Sequence, residues 1–275
     1  MKSLVAVVSG LVLLGVTVEA GAVLLEYHSS DFNGDPSIAG WSQPTRDRLT
    51  ADGWEWTIFG TNVAEVRGDN VSPDDADATS PHALRVGNRA HWKLESDTSN
   101  SPTGGASAQE VVTFWFNIVE DFRSQGSGGV YHRIGDWEDS QGGLGYLGAG
   151  VGFYIQNKSE EGIRIQDGEG NQIFNSWYPT PGDWYEVVTD FNVPAYTFSL
   201  VVNDAGGNPV LSHSGPIRDW DHSLTEVDGF TTDVYGNFPT HANWWDNFTF
   251  ESVIPEPTSM SLLALGGLAL IRRRR

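Results

Sequence analysis

The sequence contains no cysteine, which excludes a disulfide framework, a thiolate metal site and a cysteine nucleophile. Basic residues are scarce, 16 against 36 acidic ones, for a formal net charge of -20. A field of that sign repels nucleic acid and anionic polymers and attracts cations, so nucleic acid is set aside as a partner. The seven histidines show no His-x-His or HExxH spacing, and no serine sits in a Gly-x-Ser-x-Gly elbow. Apolar runs of the ~17–25 residues that a bilayer-spanning helix requires are missing as well.

What is present begins with the two ends. Lys2 precedes an apolar run over residues 4–18, which closes on Glu19-Ala20-Gly21-Ala22. A charged start, a short apolar stretch and a small-x-small site are the parts of a secretory signal peptide. Cleavage is expected after Ala22, with Val18/Ala20 as a second usable pair. Five of the sixteen basic residues are Lys2 and Arg272, Arg273, Arg274 and Arg275, so the body between the ends is more acidic than the whole chain.

At the other end, Pro255-Glu256-Pro257 leads through residues 258–260 into an apolar stretch over 261–271, followed by the four arginines. That stretch is about a dozen residues, a short membrane helix with the arginines held on the cytoplasmic side. The prolines keep the preceding segment extended and accessible. Pro-Glu-Pro, apolar helix and arginine cluster together resemble the PEP-CTERM sorting signal of Gram-negative bacteria. The resemblance covers residues 253–275 and implies a destination: an exosortase-type membrane protease as transient partner, then the cell surface or extracellular matrix. A simple C-terminal anchor without processing is the plainer alternative.

The expected organisation is therefore a signal peptide (1–22), one body (23–252) and a sorting signal (253–275). About 230 residues suit a single large all-β domain and can bury a full core without covalent help. Eleven tryptophans, eight tyrosines and thirteen phenylalanines stand beside 32 glycines, a composition of strands and turns. Residues 111–119 put Val112, Phe114, Phe116 and Ile118 on one face. Residues 151–156 alternate Val151, Phe153 and Ile155 with Gly152, Tyr154 and Gln156. Residues 163–166 and 172–174 flank Asp167-Gly168-Glu169-Gly170-Asn171, which reads as a hairpin turn. Further strands are expected over 184–191, 196–203, 210–212 and 244–250, with earlier ones at 24–28, 54–59 and 83–94. In the closing strand, Trp244, Asp246, Phe248 and Phe250 are expected on one face. Residues 69–81 and 100–107 read as loops. Short strands at these intervals indicate an antiparallel two-sheet fold.

The order of segments resembles the concanavalin A-like (laminin-G-like) jelly rolls, on the strength of Trp184-Tyr185-Glu186-Val187-Val188, the strand 196–203 with its Asp-Gly-rich turn, and the closing Trp245-Asp246-Asn247-Phe248. This implies a jelly-roll β-sandwich with its closing strand near the first. It also implies a structural calcium ion between those strands, at Glu26 and Asp246. The fold serves lectins, lyases, hydrolases and spacers alike, so function must come from the site.

Sugars expose apolar C–H faces on which aromatic rings stack. Trp137, Trp177, Tyr178 and Trp220 fall in expected loops beside polar residues and are the candidate platforms for an extracellular polysaccharide. The structural alternative for each ring is a plug at the end of the sandwich. Hydrolysis would require two carboxylates across a cleft. Glu226-Val227-Asp228 matches the start of a Glu-x-Asp-x-x-Glu strand but has Thr231 at its final position, and Asp136-Trp137-Glu138-Asp139 lies in an expected Gly-rich loop. Asp167, Glu169 and Asn171, and Asp74, Asp75 and Asp77, offer oxygen ligands for a cation but lack the EF-hand glycine and distal Glu. Three readings follow. The preferred one is a non-catalytic, surface-sorted sandwich that contacts glycans. The others are a polysaccharide-degrading enzyme and a purely structural matrix component.

Overall fold

The computed structural model describes residues 22–30, 54–59, 64–67, 70–75, 83–86, 89–94, 109–119, 121, 129–138, 146–156, 162–174, 176–221, 223–224, 227, 229–235 and 243–255. Residues 1–21 and 256–275, with the expected leader, apolar tail helix, Glu256, Pro257 and the four arginines, lie outside them, as do Asp77, Asp139, Glu226, Asp228 and residues 100–107. Leu24–Ile254 forms one compact unit; Met1–Val23 and Pro255–Arg275 are grouped apart from it.

The chain runs through β1 (Ala22–Ser30), β2 (Trp54–Phe59), β3 (Ala64–Arg67), β4 (Ala83–Val86) and β5 (Arg89–Leu94). It continues through β6 (Gln109–Ile118), β7 (Gly129–Glu138), β8 (Tyr146–Gln156), β9 (Ile163–Asp167), β10 (Gly170–Phe174) and β11 (Trp184–Asn192). It closes with β12 (Thr197–Asp204), β13 (Pro209–Pro216), β14 (Arg218–Asp219), β15 (Gly229–Tyr235) and β16 (Asn243–Pro255). A single 3-10 turn, Pro73–Asp75, is the helical element among the described residues.

Two antiparallel sheets result. The first has the order β13-β12-β11-β6-β16-β4-β3, with β1 paired to β16; the second has the order β10-β9-β8-β7-β15-β5-β2, with β14 paired to β8. This is the two-sheet jelly-roll sandwich that the segment order implied, and its first and last strands are neighbours. The sheets face each other across the alternating apolar positions. Val112, Phe114, Phe116 and Ile118 of β6 meet Val151, Phe153 and Ile155 of β8, with Val187, Leu200, Val202 and Phe230 around them. Removal of these side chains from water is the main favourable contribution to folding, at roughly 25 cal/mol per Å².

His132 of β7 sits in the middle of this core, fully buried. Its ring meets Trp245 edge-on at 4.4 Å and stacks on Phe153 at 5.8 Å. Burial holds its pKa well below the usual 6.5.

Two sequence expectations are corrected. The closing strand does not alternate throughout: between Asp246 and Thr249 the register with β6 shifts, and Asn247 takes a φ of 45°. This β-bulge adds one residue, so Trp245 and Phe248, three apart, both join the main core, while Trp244 packs in a separate cluster with Ala83, Trp115 and Trp184. Residues 136–138 are not loop but the end of β7, kept in the sheet across a second register shift at Asp136/Trp137. Residues 70–75, expected in a polar loop, meet the β6 and β16 positions that point away from the main core. There Asn70 accepts from Trp184 Nε1 (3.0 Å) and Asp74 accepts from Trp115 Nε1 (2.9 Å). The hairpin at 167–171 forms as expected, with β9 and β10 joined through Gly168 and Glu169.

Candidate functional site

The side-chain period of a strand is two, so core residues fix which positions point away from the core. In β8, Ala149, Val151, Phe153 and Ile155 face inward, leaving Gly150, Gly152 and Tyr154 on the outward face of the second sheet. By the same alternation Tyr131, Arg133 and Gly135 of β7 and Arg164 and Gln166 of β9 point outward. The register aligns them in rows: Tyr131–Tyr154–Arg164, then Arg133–Gly152–Gln166, then Gly135–Gly150–Arg218.

Glycine is required in the lower rows. A Cβ on Gly135 would stand 1.9 Å from the Ala149 carbonyl oxygen, and one on Gly150 would stand 2.0 Å from that of Ile134. Gly152 leaves space for a ring: a Cβ there would lie 2.4 Å from Cε2 of Tyr154. The Tyr154 ring lies down over that glycine and is almost wholly buried.

Polar contacts fix the ring. Arg133 Nε donates to the Tyr154 hydroxyl (3.0 Å), which donates to Gln166 Oε1 (2.8 Å). Trp220 Nε1 donates to the same oxygen (3.3 Å), and Gln166 Nε2 donates to Asn171 Oδ1 (3.2 Å). The Arg164 guanidinium lies 4.5 Å from the Tyr154 ring centre, and that of Arg133 5.6 Å from the Trp220 ring. Tyr131 meets Tyr154 edge-on at 4.8 Å. The Trp220 loop is pinned by two backbone bonds, from the N–H groups of Trp220 (2.8 Å) and Asp221 (2.9 Å) to the Gly148 carbonyl. Tyr196, with a φ of 57°, secures the same loop: its hydroxyl donates to Asp219 and accepts from the Leu224 N–H. Burial and the adjacent Asp219 carboxylate raise the Tyr196 pKa above its ordinary 10.0. The result is a rigid strip in which half-buried Tyr131, Trp220, Gln166 and guanidinium groups surround a buried Tyr154 ring. Among the described side chains that point outward from β7, β8 and β9 there is no carboxylate.

Of the four rings singled out in the sequence, Trp220 belongs to this strip. Trp177 and Tyr178 are partly buried and pack on the main core, Trp177 edge-on to Tyr185 at 5.0 Å. Trp137 lies in β7 beyond the register shift and its side chain is outside the described set, as is that of Glu26 in β1. Asp246 is buried, and its carboxylate accepts from the N–H groups of Ser72 (2.8 Å) and Asn247 (3.0 Å). Asp167 is likewise committed, to the Glu169 N–H (2.9 Å) and to His213 Nε2 (2.8 Å). No group of three or more metal-ligating side chains occurs among the described residues. Arg133, Tyr154, Arg164 and Gln166 were not singled out by sequence. Their signal is the Gly152-x-Tyr154 spacing on the outward positions of one strand.

A second feature is a polar cleft of about 640 Å³ lined by Gln109, Glu169, Asp190, Asn192, Ser199 and Ser214. Gln109 Nε2 donates to Asp190 Oδ2 (2.7 Å).

Comparison with known proteins adds the destination of the chain. Residues 253–275 match the family described as the PEP-CTERM protein-sorting motif. The chain carries a PEP-CTERM sorting signal. A PEP-CTERM signal implies export, a cell-surface or extracellular destination, and processing by exosortase, a membrane protease. A search of the curated proteins finds no match. Among solved structures, a protein of unknown function from Shewanella oneidensis MR-1 is 12% identical, with 83% of this chain and 87% of that chain covered and a TM-score of 0.50. Peanut lectin is 14% identical (83% and 99% covered, TM-score 0.44). A Lotus tetragonolobus seed lectin is 13% identical (81% and 100% covered, TM-score 0.43). At 12% identity the likeness to the Shewanella protein is one of fold.

Proposed function

We propose that this PEP-CTERM protein is a non-catalytic glycan-binding sandwich displayed at the cell surface or in the extracellular matrix, with the outward face of β7, β8 and β9 as its contact surface. One observation carries the reading: Trp220, Tyr154, Gln166 and two guanidiniums are fixed in one strip by hydrogen bonds and ring contacts. The partly exposed Trp220 ring takes the C–H face of a sugar, with Tyr154 as its buried support, and amides and guanidiniums take hydroxyls and ring oxygens. A pre-ordered strip loses little side-chain entropy on binding. Before exosortase acts, the apolar tail holds the chain at the inner membrane with Arg272–Arg275 on the cytoplasmic side. An extracellular polysaccharide is the partner; a structural calcium ion at Glu26 and Asp246 would have to share the Asp246 carboxylate with the Ser72 and Asn247 N–H groups that it already accepts from.

The polar cleft favours a second reading. It brings Glu169 and Asp190 into one lining, and two carboxylates are what a polysaccharide-degrading enzyme requires.

A glycan array probed with the exported protein, in calcium and in chelator, separates these readings when bound sugars are also checked for breakdown. Retention of an intact glycan, weakened roughly tenfold or more by Trp220→Ala, is the expected result. Shortened products that disappear in Asp190→Asn would establish the enzyme instead. No retention in either condition would leave a structural matrix component.

A further inference from the structure

We infer that the saccharide recognised at this face bears carboxylate groups, an inference that rests on the glycan-binding reading. The charge of the chain gives no hint of it, since the net value is -20. Yet the outward positions of β7, β9 and β14 carry Arg133, Arg164 and Arg218.

Arg133 and Arg218 are not neutralised by any carboxylate among the described residues. Arg133 gives its Nε to a neutral phenol and sets its guanidinium against the Tyr154 and Trp220 rings. Arg218 donates to the backbone carbonyl of Asp167 (3.4 Å), and its Nε is buried with no hydrogen-bond partner. In a chain with 36 acidic side chains, half-buried guanidiniums supported by rings and a carbonyl, rather than by acids, are unusual. Ring faces stabilise such a cation without consuming its charge or all of its donors.

The ground between them is glycine, and it is buried. Gly135 and Gly150 pair directly, Arg218 follows in the same row, and Arg133 stands two residues back on β7. A pyranose would therefore meet the two guanidiniums and the partly exposed Trp220 ring above the sheet, not the backbone beneath them. A guanidinium fork takes a carboxylate through two parallel hydrogen bonds, which a hydroxyl cannot reproduce. Repulsion from the rest of the acidic surface is screened beyond about 10 Å at 0.1 M salt, so the local pairs decide the outcome. A uronic-acid polysaccharide has the matching chemistry: a ring face, hydroxyls and one carboxylate per sugar.

The test compares exported full-length protein on polygalacturonate and alginate, on carboxyl-reduced derivatives of the same polymers, and on neutral glycans. Tighter binding to a carboxylated polymer than to its reduced form, by about tenfold or more, is expected, with that preference lost in Arg133→Gln and Arg218→Gln. Arg133→Lys should not restore it, because a lysine keeps the charge but not the fork. If Arg218→Gln fails to fold, Arg133→Gln carries the test by itself. Equal binding to both forms, or binding to neutral glycans alone, overturns the inference and leaves the glycan-binding reading standing. Absence of binding to every polymer overturns both.

Discussion

The carboxylate of Asp246 accepts a hydrogen bond from the backbone N–H of Ser72, 174 residues earlier in the chain, at 2.8 Å. Asn247 Nδ2 answers with a bond to Ser72 Oγ (3.0 Å). The β-bulge in β16 is what makes the pair of contacts available. Its extra residue lets Asp246 and Asn247 both reach Ser72 while Trp245 and Phe248 stay in the core. Residues 70–75 are thereby held beside Trp115, Trp184 and Trp244.

Replacement of Asp246 by Ala should therefore do more than remove a hydrogen bond. The Ser72 N–H would be left buried and unsatisfied, at a cost of about 1–3 kcal/mol. The segment would loosen and wet the three indoles. Urea unfolding should show the loss, and native tryptophan emission should move to the red. Unchanged emission together with unchanged stability would show that the Ser72 contact does not hold the segment.

His132 makes stability depend on pH in a definite direction. Its folded pKa lies below 6.5, while in the unfolded chain it returns to 6.5. As pH falls through 6.5 the unfolded state takes up a proton that the native state refuses. Stability is thus full above that value and falls by about 1.4 kcal/mol per pH unit below it. Urea midpoints measured from pH 7.5 to about 5 should decline in the native protein, with a slope about one proton shallower in His132→Phe. Equal slopes would mean that other groups carry the dependence.

Gly152→Ala tests how the binding face is built. The new methyl would occupy the place of the Tyr154 ring, since a Cβ lies 2.4 Å from Cε2. The ring must lift, breaking its bonds to Arg133 and Gln166, and overpacking of this kind typically costs about 1–3 kcal/mol. Glycan retention should fall along with stability. Tyr154→Phe separates the two effects: it keeps the ring and loses the hydroxyl bridge, so stability should drop by about 1 kcal/mol. Retention should weaken in Tyr154→Phe as Arg133 and Gln166 lose their common anchor. Full retention in both variants would place the glycan elsewhere.

Much of the architecture was legible in the chain because burial leaves a period-two trace. Val112, Phe114, Phe116 and Ile118 announce β6, and the alternation through 184–191 and 196–203 announces β11 and β12. β7 was not read, because His132 and Arg133 sit inside it and an isolated histidine in a strand looks polar rather than buried. Its burial becomes apparent only when Phe153, Phe230 and Trp245 close around the ring. Of the strip, Trp220 was visible as an aromatic in a loop. Arg133, Gln166 and Arg164 were not, since 33 residues of chain separate Arg133 from Gln166 and only the β7–β8–β9 register brings them together.

The sequence by itself determined where this protein goes and what kind of sandwich it forms. A sorting signal is read by a protease as a linear motif, and strand alternation is local, so both survive without tertiary information. Only the tertiary structure decided which outward side chains share a face, how one bulge switches the inward positions of the closing strand, and where Arg133, Arg164 and Arg218 come to share one sheet face. Those outcomes depend on pairing between distant segments, which a period-two pattern permits in many registers and the packed core fixes in one.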